Sequence, residues 1–188
     1  MDQKVIGKTI SILHRKHRAL INAKLNEKGI RLGSSQLQLL MPLFVQDGIH
    51  QHKLCELYHI DKAAVARGIR KLELQGLISK ETDPVDNRKV KLHLTPAAVS
   101  LKQPLSSILE HIDSSLKVHL KEEEISRLFL MLDKIEKAID SEMIIFSDSR
   151  TDSSATPGLT MRKNISIKDR QTFSGMEPSS AEQKGRTS

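Results

Sequence analysis

The chain has 188 residues, 38% of them apolar and only 3% aromatic, which suits a core of Leu, Ile and Val with an appendage beside it. Its net charge of +7 favours a polyanionic partner, although charge alone speaks to non-specific attraction and not to fold. The single cysteine excludes an internal disulfide, residues 1–10 lack the apolar run of a signal peptide, and no stretch approaches the roughly 20 apolar residues that cross a bilayer. The expectation is a soluble, cytoplasmic protein with no membrane partner.

Residues 4–28 carry Ile6, Ile10, Leu13, Leu20 and Leu25 at threes and fours, which predicts a helix stopped by Asn26-Glu27-Lys28-Gly29. A second helix is predicted from residue 34 or 35 to 46, burying Leu37, Leu40 and Phe44. Pro42 removes a backbone donor inside it, so a kink or an early end is expected there. Asp47-Gly48 reads as a turn and Ile49 as a strand of one or two residues. A short helix follows over residues 51–58, with Leu54 and Leu57 inward, Cys55 turned toward the core as an inert packing thiol, and His59 in the turn.

The next helix, over residues 61–75, is the centre of the reading. The Asp61 carboxylate can accept from the unpaired amides of the first turn. Val65, Ile69 and Leu72 make one buried stripe, and Gly76 sits where a helix ends in a left-handed residue. The opposite face carries Lys62, Ala63, Ala66, Arg67 and Arg70, with Ala64 and Lys71 beside them. Small residues between long cations suit close approach to something grooved and negative, such as the DNA major groove. Residues 51–95 hold nine Lys and Arg against six Asp and Glu, so placement matters more than the total.

Two strands are predicted next, over residues 79–83 and 89–94. Val90, Leu92 and Leu94 alternate with Lys89, Lys91 and His93, which places one face on the core and a basic face outward. Between the strands, Asp83-Pro84-Val85-Asp86-Asn87-Arg88 is rich in turn residues. Thr95-Pro96 then opens a long helix through Leu101, Leu105, Ile108, Ile112, Leu116 and Leu120, bent early by Pro104. Another begins at Glu122-Glu123-Glu124, acidic residues at the positive end of the dipole, and continues through Ile125, Leu128, Leu132, Ile135 and Ile139. Residues 147–188 are dominated by Ser, Thr, Gly, Pro and mixed charge, with isolated apolar residues at no sustained period. That composition predicts a disordered tail.

Catalytic constellations are missing from this reading: no Gly-rich phosphate loop, no HExxH and no nucleophile elbow, so no enzyme and no cofactor are expected. Ser34-Ser35 is explained by helix capping. His14 and His17 on the first helix, and His50, His52 and His59 around the short helix, lack the converging Cys or acidic partners that zinc needs, so no metal is expected.

A helix-turn-helix followed directly by a basic-tipped hairpin is a winged helix-turn-helix. The segment resembles the MarR family of bacterial transcription regulators. The resemblance is carried by Ile60-Asp61-Lys62, Val65, Arg67, the Leu72-Glu73 and Gly76-Leu77-Ile78 run, Asp86-Asn87-Arg88 and Leu94-Thr95-Pro96. It implies a mostly α fold with a small β-hairpin wing: a winged unit at about residues 33–95, dimerisation helices at about 4–28 and 96–146, and the tail outside the 1–146 domain. It also implies a homodimer whose protomers each place one helix in a major groove of a palindromic promoter site.

Under that resemblance Lys62, Arg67 and Arg70 supply cationic donors, with Lys71 close by, and Arg88 enters the adjacent minor groove. Asp86 orients Arg88 through an ion pair, while Lys89 and Lys91 hold phosphates. Ala63, Ala64 and Ala66 stand where relatives often have Ser or Thr, which predicts an A/T-leaning site. Other departures are His59 where Gly is usual, His50 where a Ser or Thr cap is usual, and Cys55 where Ala is usual. The family commonly takes small phenolic or other aromatic effectors, and the few aromatics here argue against a stacking pocket. The competing reading is a winged-helix module that binds RNA or protein without sequence-specific DNA recognition.

Overall fold

The computed structural model describes residues 5–84, 86 and 89–148, with side chains through residue 143. Two compact units divide the chain, Met1–Lys121 and Glu122–Ser188. The expected tail and the wing-tip residues Val85, Asn87 and Arg88 lie outside the described residues, apart from the helical residues 147 and 148.

In the first unit α1 (Ile6–Glu27) precedes α2 (Ser34–Val45), β1 (Ile49–His50), α3 (Gln51–Tyr58), α4 (Lys62–Leu74), β2 (Ile78–Thr82), β3 (Val90–Leu94) and α5 (Pro96–Lys117). Gly29 closes α1 at φ 68°, and Ile30 N–H returns to the Leu25 carbonyl at 2.9 Å, so the last turn is satisfied without a side chain. Helix α2 starts against α1: Ser34 N–H donates to Asn22 Oδ1 at 2.7 Å, and Arg18 Nε donates to Ser34 Oγ at 3.2 Å. Pro42 does not end α2, which runs on to Val45 with Pro42 itself buried. Tertiary packing of Leu39, Leu40, Leu43 and Phe44 on both sides of the proline outweighs the lost donor.

Strand order is β1-β3-β2, antiparallel throughout. Ile49 stands opposite Leu92, and Lys80 meets Leu92 from the other side, so the short strand expected at Ile49 is two residues long and pairs with the wing. The alternation predicted for β3 is only partly realised, because Leu92 is fully buried while Val90, Lys91, His93 and Leu94 are all half-buried. Strand β3 is central, flanked on both edges, so its outward side chains are covered by neighbours as well as by solvent.

Leu25, Leu40, Leu43, Leu54, Val65, Ile69, Leu72, Leu92 and Leu105 form the fully buried core. Leu57, expected inside, is half-buried. Helix α5 begins as the sequence predicts: Thr95 Oγ1 accepts from Ala98 N–H at 3.2 Å with Pro96 in the first turn, and Pro104 lies within the helix.

The second unit contains α6 (Glu122–Asp148), which opens on three acidic residues. Its Leu128, Phe129, Leu130, Met131 and Ile139 are exposed, whereas Ile125, Leu132 and Ile135 are half-buried. Lys137 pairs with Asp133 one turn back at 2.7 Å.

Candidate nucleic-acid interface

Four local devices set α4. Asp61 Oδ1 accepts from Ala64 N–H at 2.8 Å and fixes the first turn. The turn before it passes through His59 at φ 51°, ψ 41°, the left-handed region that the sequence required of a non-glycine residue. At the far end Gly76 takes φ 67°, and Leu77 N–H returns to the Leu72 carbonyl at 2.9 Å. Thr95 Oγ1 then donates to the Gly76 carbonyl at 2.7 Å, tying the start of α5 to the end of α4.

Val65, Ile69 and Leu72 are buried to 1% exposure or less and turn the other side of α4 to solvent. Lys62, Ala63, Ala66, Arg67, Arg70 and Lys71 are all exposed there. At about 100° per residue, Ala63, Arg67 and Arg70 form the centre of that face, with Lys62 and Ala66 on one flank and Lys71 on the other. Ala64 is half-buried and lies off the centre, so its methyl is less available than the sequence suggested.

The sequence reading missed Leu74, which is 78% exposed and continues the row of Arg67 and Arg70. It interrupts the apolar stripe by falling one turn beyond Arg70, and that spacing was the available signal. Gly68 was missed as well. A Cβ built there would collide with Leu39 Cδ1, so the absent side chain lets α2 and α4 approach closely. A third unforeseen device is Gln75, whose amide donates to the Arg31 carbonyl at 2.7 Å and accepts from Gln36 at 2.6 Å. These bonds anchor the end of α4 to Arg31 in the loop after α1 and to the first turn of α2.

Cations are distributed unevenly. Among the described residues no ion pair engages Lys62, Arg67, Arg70 or Lys71. The hairpin differs: Lys80 Nζ meets Glu73 Oε2 at 2.6 Å, Lys89 Nζ meets Asp86 Oδ2 at 3.3 Å, and Lys91 Nζ meets Asp83 Oδ2 at 3.5 Å. Asp86 was expected to orient Arg88. The contact described is with Lys89, and Arg88 lies outside the described residues.

Asp83 is one of two buried polar residues in the described structure, at 8% exposure. Its carboxylate accepts from Asp86 N–H at 3.2 Å and faces His50 Nε2 at 3.4 Å, so one side chain joins β1, β3 and the wing turn. On the same sheet His93 lies between Asp47 at 3.0 Å and Glu81 at 3.2 Å. Burial pushes the Asp47 carboxyl up, but hydrogen bonds from Leu94 N–H and from His93 outweigh it and hold the group below its usual range.

Cys55 is half-buried, with Sγ 3.8 Å from the Gln51 carbonyl. Burial pushes its thiol up, opposed by the nearby charge of Lys62, a cation the sequence reading had not placed beside it. Among the described residues no group of three or more His, Cys, Asp or Glu is placed to hold a metal ion.

The arrangement of α3, α4 and the hairpin has clear counterparts. Residues 32–90 match the model of the MarR family, and that span takes in α2, α3, α4 and most of the hairpin. Residues 32–90 are a MarR-family segment. Over 115 residues, 61% of this chain and 77% of the relative, it is 29% identical to an uncharacterized HTH-type transcriptional regulator, YybA, of Bacillus subtilis (strain 168). A MarR transcriptional regulator from Methanosarcina mazei Go1 superposes with a TM-score of 0.62 at 28% identity, covering 74% of this chain and 97% of that one. A mutant MarR from E. coli, solved complexed with operator DNA, superposes with a TM-score of 0.64 over 69% of this chain and 92% of that one. At 21% identity that likeness shows the shared fold. The three-stranded sheet and the mostly helical body are thus those of MarR-family winged-helix regulators.

Proposed function

We propose that this chain is a MarR-family regulator and works as a homodimer that sets α4 of each protomer into a major groove of a palindromic promoter duplex. The observation that carries the reading is the outer face of α4. Among the described residues its Lys62, Arg67, Arg70 and Lys71 are exposed and without ion-pair partners, on a helix fixed at both ends. Free cations can release counterions from phosphates, whereas a cation already paired to a carboxylate contributes less. Arg67 and Arg70, nearest the centre, are the candidates for bidentate contact with guanine. Ala63 and Ala66 beside them offer methyl contact with thymine, and Leu74 extends that apolar surface. The hairpin with Lys89, Lys91 and Arg88 serves as a second, backbone-holding contact, with Arg88 in the minor groove.

Dimerisation is supported within each unit separately. In the first, Val5, Ile6, Ile10 and Leu13 are exposed at the start of α1, and Leu116 at the end of α5. In the second, α6 exposes five large apolar side chains. Such surface suits burial against a second copy. A cavity of about 430 Å3 between α1 and α5, lined by Lys24, Glu27, Lys28, Pro104, Ser107, Ile108 and His111, is the candidate effector site. No helix among the described residues is long and apolar enough to cross a membrane, and a cytoplasmic location is part of this proposal.

The test is fluorescence anisotropy of the full chain with promoter duplex, its separate single strands and duplex RNA. The reading expects tight, saturable binding of duplex DNA alone, weakened about 1–3 kcal/mol by Arg67→Ala with relaxed preference at one base position. Equal affinity for all three nucleic acids would favour the RNA- or protein-binding alternative.

A further inference from the structure

Behind Lys91 lie two groups, Asp83 and His50, that the groove-reading proposal does not use. Asp83 is buried at the base of the wing, and its Oδ2 is shared by His50 Nε2 at 3.4 Å and Lys91 Nζ at 3.5 Å. His50 Nδ1 is enclosed and has no hydrogen-bond partner among the described residues. A neutral ring that turns its N–H toward Asp83 through Nε2 keeps a bare lone pair on Nδ1, the one atom where a further proton can be added. Among the described residues, the other titratable or charged groups near by are His52, whose ring centroid lies 5.5 Å from that of His50, Asp86 in the wing turn, which pairs with Lys89, and Glu81, opposite Lys91 in register and paired with His93.

We propose that His50 is a positioning residue of the wing that takes up a proton when the protein docks on its duplex, so that the imidazolium takes over Asp83 and Lys91 is released to a phosphate. This rests on the reading of the chain as a duplex-DNA binder. A phosphate backbone brought to Lys91 adds negative potential at the Asp83 carboxylate, which favours the charged form of a nearby imidazole. Histidine is suited to the exchange because its charge changes within the physiological pH range. The proton comes from solvent and adds to the Nδ1 lone pair, while the Nε2–H bond toward Asp83 is retained. By linkage, a proton bound on docking means that affinity rises as pH falls. Without the exchange, Lys91 would leave Asp83 buried with one cationic partner fewer each time it turned to a phosphate.

The experiment is calorimetric titration of one operator duplex into the full chain at pH 7, in two buffers of different ionisation enthalpy, for the natural protein and His50→Gln. His50 forms no side-chain cap on α3, so the substitution removes no helix start. The natural protein is expected to take up about half to one proton more than His50→Gln, and to gain about three- to tenfold in affinity relative to it between pH 8 and pH 6. In parallel, the His50 ring resonance of the natural protein is expected to titrate at higher pH on the duplex than free, which reads the same event without a variant. Equal proton uptake by both proteins, or an unshifted His50 titration, would overturn the proposal while leaving duplex binding intact. Absence of saturable duplex binding by the natural protein at every pH would instead overturn the parent reading, and this one with it.

Discussion

Asp47 shows how much one side chain can do where a turn meets a sheet. Its Oδ1 accepts from Leu94 N–H at 2.8 Å and its Oδ2 faces His93 at 3.0 Å, so its carboxylate is held below its ordinary range. A carboxyl depressed on folding adds stability that is present above its unfolded value and lost as pH falls through the folded one. Asp47→Asn should therefore lower the urea midpoint at pH 7, with the gap to the natural protein narrowing as pH falls below about 4. A constant gap across that range would mean that charge at Asp47 is immaterial. Cys55 makes the opposite case: burial raises its thiol, and the expected outcome is alkylation at pH 7 slower than that of a free cysteine. Residues that follow local rules were legible in the sequence. Asp61 as a cap, His59 in a left-handed turn, Gly76 as a terminator and Thr95-Pro96 as a start all depend on neighbours within four positions. Asp83 was not legible as an anchor, because its partners His50 and Lys91 are brought to it only by strand pairing.

At the scale of elements, the close approach of α2 and α4 determines how the reading helix is carried. Gly68 faces Leu39, itself only 4% exposed, with no room for a Cβ at its present position. Gly68→Ala gains about 1 kcal/mol of helix propensity, which offsets a shift of the Leu39 tip, and is expected to be nearly neutral. Gly68→Val overfills the contact and should destabilise by about 1–3 kcal/mol, read by denaturant unfolding. Equal stability of the valine variant would show that the two helices are not held at this distance. Periodicity predicted α4 and α5 well because each buries one regular stripe, whereas α3 buries Leu54 alone. It predicted β3 less well, since a central strand covered from both edges does not display a clean alternation. Backbone chemistry alone predicts a kink or an early end at Pro42, and of these the early end does not occur, because the side chains on either side are buried and hold the helix on to Val45.

At the scale of the whole molecule, the charge of +7 and the unpaired cations of α4 predict binding dominated by phosphate contacts. If the dimer makes about 6–10 of them, affinity should fall by about 10³–10⁵ between 50 and 200 mM salt. The dimer has its own check in Leu13→Glu. Leu13 is 59% exposed, and an exposed substitution in a monomer shifts stability by only about 0.5 kcal/mol. Sedimentation equilibrium should nevertheless show self-association weakened at least about tenfold, if that face meets a second copy. Unchanged association would place the interface elsewhere.

The most direct test of the central claim is a hydroxyl-radical footprint, with stoichiometry, on duplex fragments selected by the purified protein from genomic DNA. Two chains per duplex are predicted, protecting two inverted half-sites whose centres lie about 10–10.5 base pairs apart or a multiple of that. One chain per fragment, or protection with no inverted repeat, would contradict paired reading helices set into successive grooves.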